Sequence, residues 1–379
     1  MVNKQRYKDP KDISNCGLCG FINKDKKLVS GETIIKGIAI QHDRGNGLGG
    51  GFAAYGIYPD FKNYYALHLM CDDDFAMSKV EEFLKTVVTI KHSEPIPTRK
   101  TKSILSHPKL KRFFVKPLGN SEVYERFGVE EWEDDDYIVR VTMYINEKID
   151  GAYVFSSGKN MGTFKGVGFP EDIAEFFRLD EYKGYIWTAH NRFPTNTPGW
   201  WGGAHPFTIL DWSIVHNGEI SSYGINKRYL EMFGYKCTLL TDTEVVAYLL
   251  DLLIRKHRLP VRMACTALAA PFWKHIDRMD SDEKEIYNAI RMVYGSALLI
   301  GPFAILFANN NGLVGMNDRV KLRPLVVGTY ENTVYMGSEI SSLKEMNPKI
   351  ENIWAPKAGE PVIVEVTEKE IKSKKNARS

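Results

Sequence analysis

Short apolar runs alternate with glycine-rich polar stretches along the chain, and the periods of those runs predict its elements. Residues 1–15, MVNKQRYKDPKDISN, are polar and hold no apolar segment of the kind a secretory signal needs. From Cys16 to about Pro59, brief apolar runs broken by glycine predict strands and tight loops. Ser78-Lys79-Val80-Glu81 reads as a capping box that opens an amphipathic helix reaching about Ile90. His92 to Lys116 is basic and proline-punctuated and reads as an exposed connection. Tyr137–Asn146 and Ala152–Ser156 read as paired strands, with Asp150-Gly151 at the turn. Trp187 to Ser213, dense in Trp, Pro, Gly and Asn, reads as an irregular segment packed by large side chains. A second capping box, Thr241-Asp242-Thr243-Glu244, precedes a helix with Val245, Val246, Leu249, Leu250 and Leu253 on one face, ending before Pro260. Another helix is predicted over Asp282–Tyr294, followed by strand-like runs from Ala297 to Val366. Met292–Ala308 is the most apolar stretch. Gly295, Gly301 and Pro302 interrupt it, it falls short of a bilayer span, and it reads as two buried strands joined by a Gly-Pro turn. Strands at both ends with helices between them predict a mixed α+β fold rather than a βαβ series.

Composition narrows the function classes. With 379 residues and 44% hydrophobic content the chain can bury a large core. Lys and Arg number 50 against 47 Asp and Glu, a net charge of +3 that argues for neither nucleic acid nor an anionic membrane as partner. Five cysteines do not make a disulfide framework, so a reducing cytoplasm is the expected compartment.

Several candidate sites are weak on spacing alone. Cys16 and Cys19 form a C-x-x-C pair with no second pair to complete a zinc site. Gly45, Gly47 and Gly50 match G-x-G-x-x-G, yet a strand-like run rather than a helix follows, which disfavours a dinucleotide loop. Asp72-Asp73-Asp74 reads as a solvated turn. His190 and His205 are equally readable as metal ligands or as hydrogen-bonding residues of an irregular core. Three other stretches share a chemistry. Arg192 lies among turn formers, Asn217-Gly218 follows an apolar run, and Asp242 opens a helix. An arginine clamps a carboxylate, an aspartate holds an ammonium, and an Asn amide with a Gly N–H can stabilise an oxyanion. With a thiol, that set suits a free α-amino acid bearing a reactive carbonyl.

The same stretches, in order, resemble the class II glutamine amidotransferases, whose nucleophile is an N-terminal cysteine. The matching segments are Cys16-Gly17-Leu18-Cys19-Gly20, Arg44-Gly45, His190 to Thr195, His216 to Ile220 and Thr241 to Glu244. "HNRFPTNTPGWWGGAHPF" followed by "HNGEI" is most similar to the glutaminase domain of glutamate synthase. The resemblance implies a four-layer αββα sandwich with two stacked, mainly antiparallel sheets. It implies residues 1–15 as a propeptide or disordered leader, 16–366 as the amidotransferase domain with 60–165 as a family-variable insertion, and 367–379 as a charged tail. It makes Cys16 the nucleophile, Asn217 and Gly218 the oxyanion donors, and Arg192 and Asp242 the clamps for L-glutamine, with Thr195 and Arg44 shaping the pocket. It leaves Cys19 as packing. It implies no metal or cofactor in this chain, and a partner glutamate synthase subunit carrying FMN and iron–sulfur clusters. Two alternatives stay open: a glutaminase serving another ammonia acceptor, and a homologue that is never processed and does not catalyse.

Overall fold

The computed structural model describes residues 16–119, 133–193 and 199–367; the expected leader, most of the expected tail and Thr195 lie outside them. Two antiparallel sheets stack at the centre. The larger has seven strands in the order Glu351–Trp354, Val326–Tyr330, Thr333–Gly337, Gly17–Asn23, Ile186–Asn191, Gly50–Tyr55, Met161–Gly166. The smaller has five, in the order Phe207–Ile209, Trp212–Gly218, Phe303–Asn309, Gly312–Asn317, Val362–Glu365. Leu18, Ile22, Tyr55 and Ile186 from the first sheet pack against Val215, Leu306 and Leu313 from the second, which makes a dry inter-sheet core.

The first strand shows why its sequence reads as a continuous apolar run. Side chains alternate across a strand, so Leu18 and Ile22 face the second sheet. Cys19 and Phe21 face the other way, into a core shared with Ile34 and Ile38 of the helix Gly31–Ala39. All seven residues of Gly17–Asn23 are buried. Helices Gly31–Ala39, Pro170–Phe176 and Ile340–Met346 cover the outer face of the larger sheet, and Asp242–Leu250 covers the smaller, with Tyr223–Glu231 packed against it. The layers are therefore αββα, in the α+β class.

The interval 60–165 holds a third sheet of four strands, ordered Val88–Pro95, Lys109–Pro117, Tyr65–Cys71, Ala152–Ser156, with helices Asp74–Val87 and Asp134–Lys148 against it. Several sequence expectations are corrected here. Tyr137–Asn146 is helical, not a strand: Tyr137, Ile138, Val141 and Ile145 recur at helical spacing and are buried, and Asp134, Asp135 and Asp136 occupy the first turn, where the helix dipole favours acids. The basic stretch His92–Lys116 begins and ends in two paired strands, Val88–Pro95 and Lys109–Pro117, and the expected exposed connection is confined to residues 96–108. Its charges are neutralised locally, Lys111 by Glu81 at 2.6 Å and Arg112 by Glu94 at 2.7 Å. The helix expected from Ser78 starts four residues earlier, because Asp73 accepts the Ala76 N–H at 2.8 Å and caps it, while the Ser78 hydroxyl donates back to the Asp74 carbonyl. Asp72 and Asp73 lie in an exposed bend, as expected, and Asp73 also serves as the helix cap. The helix Gly31–Ala39 lies where only strands and loops were expected, and Ser30 caps it. Ile186–Asn191 is a central strand of the larger sheet, within a segment expected to be irregular. Met292–Ala308 contributes one strand, Phe303–Asn309, rather than two. Its start belongs to the helix Ser281–Val293, and Gly301 turns the chain at φ +128°. Among the described residues no helix is long and apolar enough to cross a membrane.

Candidate active site

The stacked sheets converge on a cavity of about 420 Å3, whose walls include Cys16, Arg192, His216, Gly218, Asp242 and Thr243. Cys16 stands at the entry to the first strand, Arg192 just past the end of its neighbour Ile186–Asn191, and Gly218 at the end of Trp212–Gly218. Asp242 is the first residue of a helix packed on that last strand. Three sheet ends and one helix start thus meet, although their residues are scattered over more than half the chain.

The Cys16 thiol is half-buried beside Phe193. Sγ accepts the Phe193 N–H at 3.2 Å and lies 3.7 Å from the Phe193 carbonyl oxygen. Burial pushes the thiol pKa up, the Phe193 N–H and the Arg192 charge pull it back, and Asp242 adds to the rise. Arg44 does not line the cavity. Its Nε donates to the Cys16 carbonyl at 3.2 Å and its Nη1 pairs with Glu339 at 2.6 Å, so it holds the Cys16 backbone. Cys19 is fully buried in the helix-facing core, where burial pushes its thiol up to about 12. Cys16 and Cys19 therefore occupy different environments.

Arg192 is 4% exposed. Its backbone N–H donates to the Gly49 carbonyl at 2.9 Å, and a Cβ at Gly49 would lie 2.9 Å from its Cδ, so glycine there makes room for the arginine stem. The guanidinium feels the charges of both Cys16 and Asp242. Asp242 is fixed by several groups. Its Oδ2 accepts the Ile220 N–H at 2.9 Å, its Oδ1 accepts the Thr243 hydroxyl at 3.1 Å, and His216 Nδ1 lies 3.7 Å away. Burial works to raise its pKa, but His216 and these hydrogen bonds hold the carboxyl below its ordinary value. Thr241 caps the helix by accepting the Thr243 N–H at 3.2 Å. The capping box is only half made, since Glu244 turns away to accept the Thr238 and Leu239 N–H groups at 3.0 and 2.9 Å.

Gly218 lines the cavity with φ +142°, a left-handed backbone that favours glycine, and a Cβ there would sit 2.0 Å from the Pro302 carbonyl oxygen. Opposite it, Phe303 directs its N–H to the Asp318 carboxylate at 3.1 Å and its carbonyl to the Asp318 N–H at 2.9 Å, so Gly218 and Phe303 form a non-hydrogen-bonded pair, and bonding resumes where the Glu219 N–H donates to the Pro302 carbonyl at 3.0 Å. Asn217 is buried beside the cavity rather than lining it, with Nδ2 3.5 Å from Ser338 Oγ.

Sequence reasoning missed the histidines as a network. The Thr243 hydroxyl oxygen lies 2.9 Å from His205 Nε2 and 3.1 Å from His216 Nδ1. It has one proton, given to Asp242, so both imidazoles donate to it. His190 Nε2 donates to the His216 carbonyl at 2.7 Å and its ring stacks on His205 at 4.0 Å. The opposite nitrogens, His190 Nδ1, His205 Nδ1 and His216 Nε2, have no partner among the described residues. Burial lowers His190 to about 3 and His205 well below the usual range, so both are neutral. Among the described residues no cluster of His, Cys, Asp and Glu is placed to hold a metal ion. The available signal was positional: His216 and Thr243 directly flank Asn217 and Asp242 in the motifs.

A positively charged clamp, a negatively charged clamp and a thiol around one cavity suit a zwitterionic amino acid. Comparison with known proteins agrees. The model of the class II glutamine amidotransferases matches residues 95–236 and 236–379, downstream of Cys16 and Arg44. An uncharacterised protein of Archaeoglobus fulgidus is 52% identical over 96% of this chain and 95% of its own length. A putative glutamine amidotransferase of Methanothermobacter thermautotrophicus is 26% identical over 87% of this chain and 93% of its own. An amidophosphoribosyltransferase of Methanocaldococcus jannaschii is 27% identical over 58% of this chain but only 41% of its own length.

Proposed function

Because this chain belongs to the class II glutamine amidotransferases, we propose that it hydrolyses L-glutamine to glutamate and ammonia through a thioester on Cys16. The observation that carries this is the convergence of Cys16, Arg192, Gly218 and Asp242 on one cavity. Glutamine seats its α-carboxylate on Arg192 and its α-ammonium on Asp242. Cleavage between Asn15 and Cys16 frees an α-amine, which titrates at about 7.7–8.0 and serves as the base. That base is needed, because burial raises the Cys16 thiol. Sγ attacks the side-chain amide carbon, and its proton passes through the α-amine to the leaving nitrogen. The Gly218 N–H and Asn217 Nδ2 bind the oxyanion; the 3.5 Å contact of Asn217 with Ser338 is long enough to yield to a better acceptor. The C–N bond breaks and ammonia leaves. Water then adds to the thioester, and the C–S bond breaks to release glutamate and the thiol.

The ammonia passes to a partner synthase. The likeness of the segments around Arg192 and His205 to glutamate synthase supports a cytoplasmic partner that makes glutamate from 2-oxoglutarate, with the flavin and iron–sulfur clusters on the partner. Thr195 is proposed to shape the glutamine pocket. Intact-mass spectrometry before and after a diazoketone analogue of glutamine tests the reaction. Loss of residues 1–15 with one adduct on Cys16 is expected; a full-length mass with no adduct contradicts it. Co-purification with a synthase subunit, and 2-oxoglutarate-dependent consumption of glutamine, test the acceptor.

A further inference from the structure

A second cavity, of about 630 Å3, lies between the insertion and the core and shares no lining residue with the first. Its size is that of a small-molecule site. Tyr153 and Asp72 come from the insertion, and Trp200, Trp201 and Thr238 from the core. The two indoles are held in place. Trp200 folds flat over its own loop, where a Cβ on Gly202 would meet the ring at 2.2 Å and one on Gly203 would lie 2.6 Å from Nε1. Trp201 covers Gly166, where a Cβ would come within 2.6 Å, and packs edge-on against Phe176 at 5.7 Å. Tyr153 stands 6.2 Å from Trp200. Trp200 nevertheless stays 39% exposed, a large aromatic surface facing a concave site.

The polar lining selects the ligand. Among the described residues no lysine or arginine lines this cavity, its one carboxylate is Asp72 and its one imidazole is His107. A phosphate would find no guanidinium or ammonium there, whereas an amino group would find the Asp72 carboxylate as acceptor. We propose that this cavity binds a planar heteroaromatic molecule of about nucleoside size, neutral or cationic and bearing an exocyclic amine, stacked on Trp200 and hydrogen-bonded to Asp72.

Both sides of the cavity lead into the glutamine site. The Trp200 carbonyl accepts the Gly203 N–H at 3.1 Å, two residues before His205, whose Nε2 holds Thr243. On the other side, the Thr238 and Leu239 N–H groups are held by Glu244, next to Thr243. A ligand that shifts Trp200 therefore acts on His205, one that shifts Thr238 acts on Glu244, and through either the start of the Asp242 helix moves and glutamine KM follows. This coupling rests on the glutaminase reading; binding does not.

Isothermal titration calorimetry of the full chain with adenosine and with adenosine 5′-monophosphate tests the site. Saturable adenosine binding is expected, with the monophosphate about tenfold weaker or worse. Trp200→Ala and Asp72→Asn should each weaken adenosine by about tenfold, as expected for one stacking partner or one hydrogen bond. Both variants should keep the wild-type melting temperature. No adenosine binding, equal binding of adenosine and its monophosphate, or unchanged binding by a folded Trp200→Ala variant overturns the site. Adenosine binding with unchanged glutamine KM overturns the coupling alone.

Discussion

The Thr243 hydroxyl gives its proton to Asp242 Oδ1 at 3.1 Å, while the same oxygen is approached by His205 at 2.9 Å and His216 at 3.1 Å. One side chain thus orients the acid assigned to the glutamine ammonium and satisfies two buried imidazoles. Thr243→Val removes the hydroxyl and keeps the shape. Losing a buried hydrogen bond of this kind costs about 1–3 kcal/mol, so glutamine KM should rise roughly ten- to hundredfold. kcat should change much less, and Thr243→Ser should restore both. Steady-state glutaminase kinetics on the three proteins decide it, and an unchanged KM in the valine variant rules the role out.

The two cysteines of the C-x-x-C pair should behave oppositely. Cys16→Ala should abolish glutaminase activity and the diazoketone adduct while leaving the melting temperature near wild type, since the side chain is half-buried outside the strand. Cys19→Ala should keep both activity and adduct and lose about 1 kcal/mol of stability from a small core void. Mass spectrometry and thermal melts on the pair check this; activity surviving in Cys16→Ala removes the thioester.

Gly218→Ala should be destabilising as well as inactive. The added Cβ meets the Pro302 carbonyl oxygen at 2.0 Å at a backbone angle of φ +142°. Strain of this kind costs about 1–3 kcal/mol before any clash is relieved. A melting temperature several degrees below wild type is expected by calorimetry. A wild-type melting curve contradicts the backbone geometry.

Acid should weaken the fold earlier than carboxylates alone would allow. His68 and His190 are both lowered to about 3 by burial. In the unfolded chain a histidine takes up a proton at about 6.5. Between about pH 6.5 and pH 3 the unfolded state therefore binds more protons, and stability falls as pH falls through that window. Urea midpoints should drop from pH 7 to pH 5, and the drop should shrink in His68→Gln, whose ring otherwise hydrogen-bonds Tyr58 and the Thr163 carbonyl. Equal midpoints at the two pH values in the wild-type protein contradict buried neutral histidines.

Local chemistry was readable wherever one short segment contains the whole reason for itself. Thr241 announces a helix because its side chain caps that helix two residues on. The helix expected over Asp282–Tyr294 runs over Ser281–Val293, capped by Asp280. Motifs picked out Cys16, Arg192, Gly218 and Asp242 because reacting groups need particular residue types regardless of surroundings. Tyr137–Asn146 misled because its β-branched residues favour a strand in isolation, while the buried face they share favours a helix. Lys109–Pro117 misled because its charges look solvated until Glu81 and Glu94 arrive from neighbouring elements.

From the sequence alone came the helix starts at Thr241 and near Asp280 and the choice of Cys16, Arg192, Gly218 and Asp242 as candidates, because a cap acts within a few residues and a motif is a short run of residue types. Only the tertiary structure decided that Arg44 grips the backbone of Cys16, that His205 and His216 meet on Thr243, and that Trp200 walls a second cavity. Those contacts join residues far apart in the chain, and no local pattern encodes them. They exist because two sheets buried on both faces must stack, and stacking brings strand ends together at a common edge.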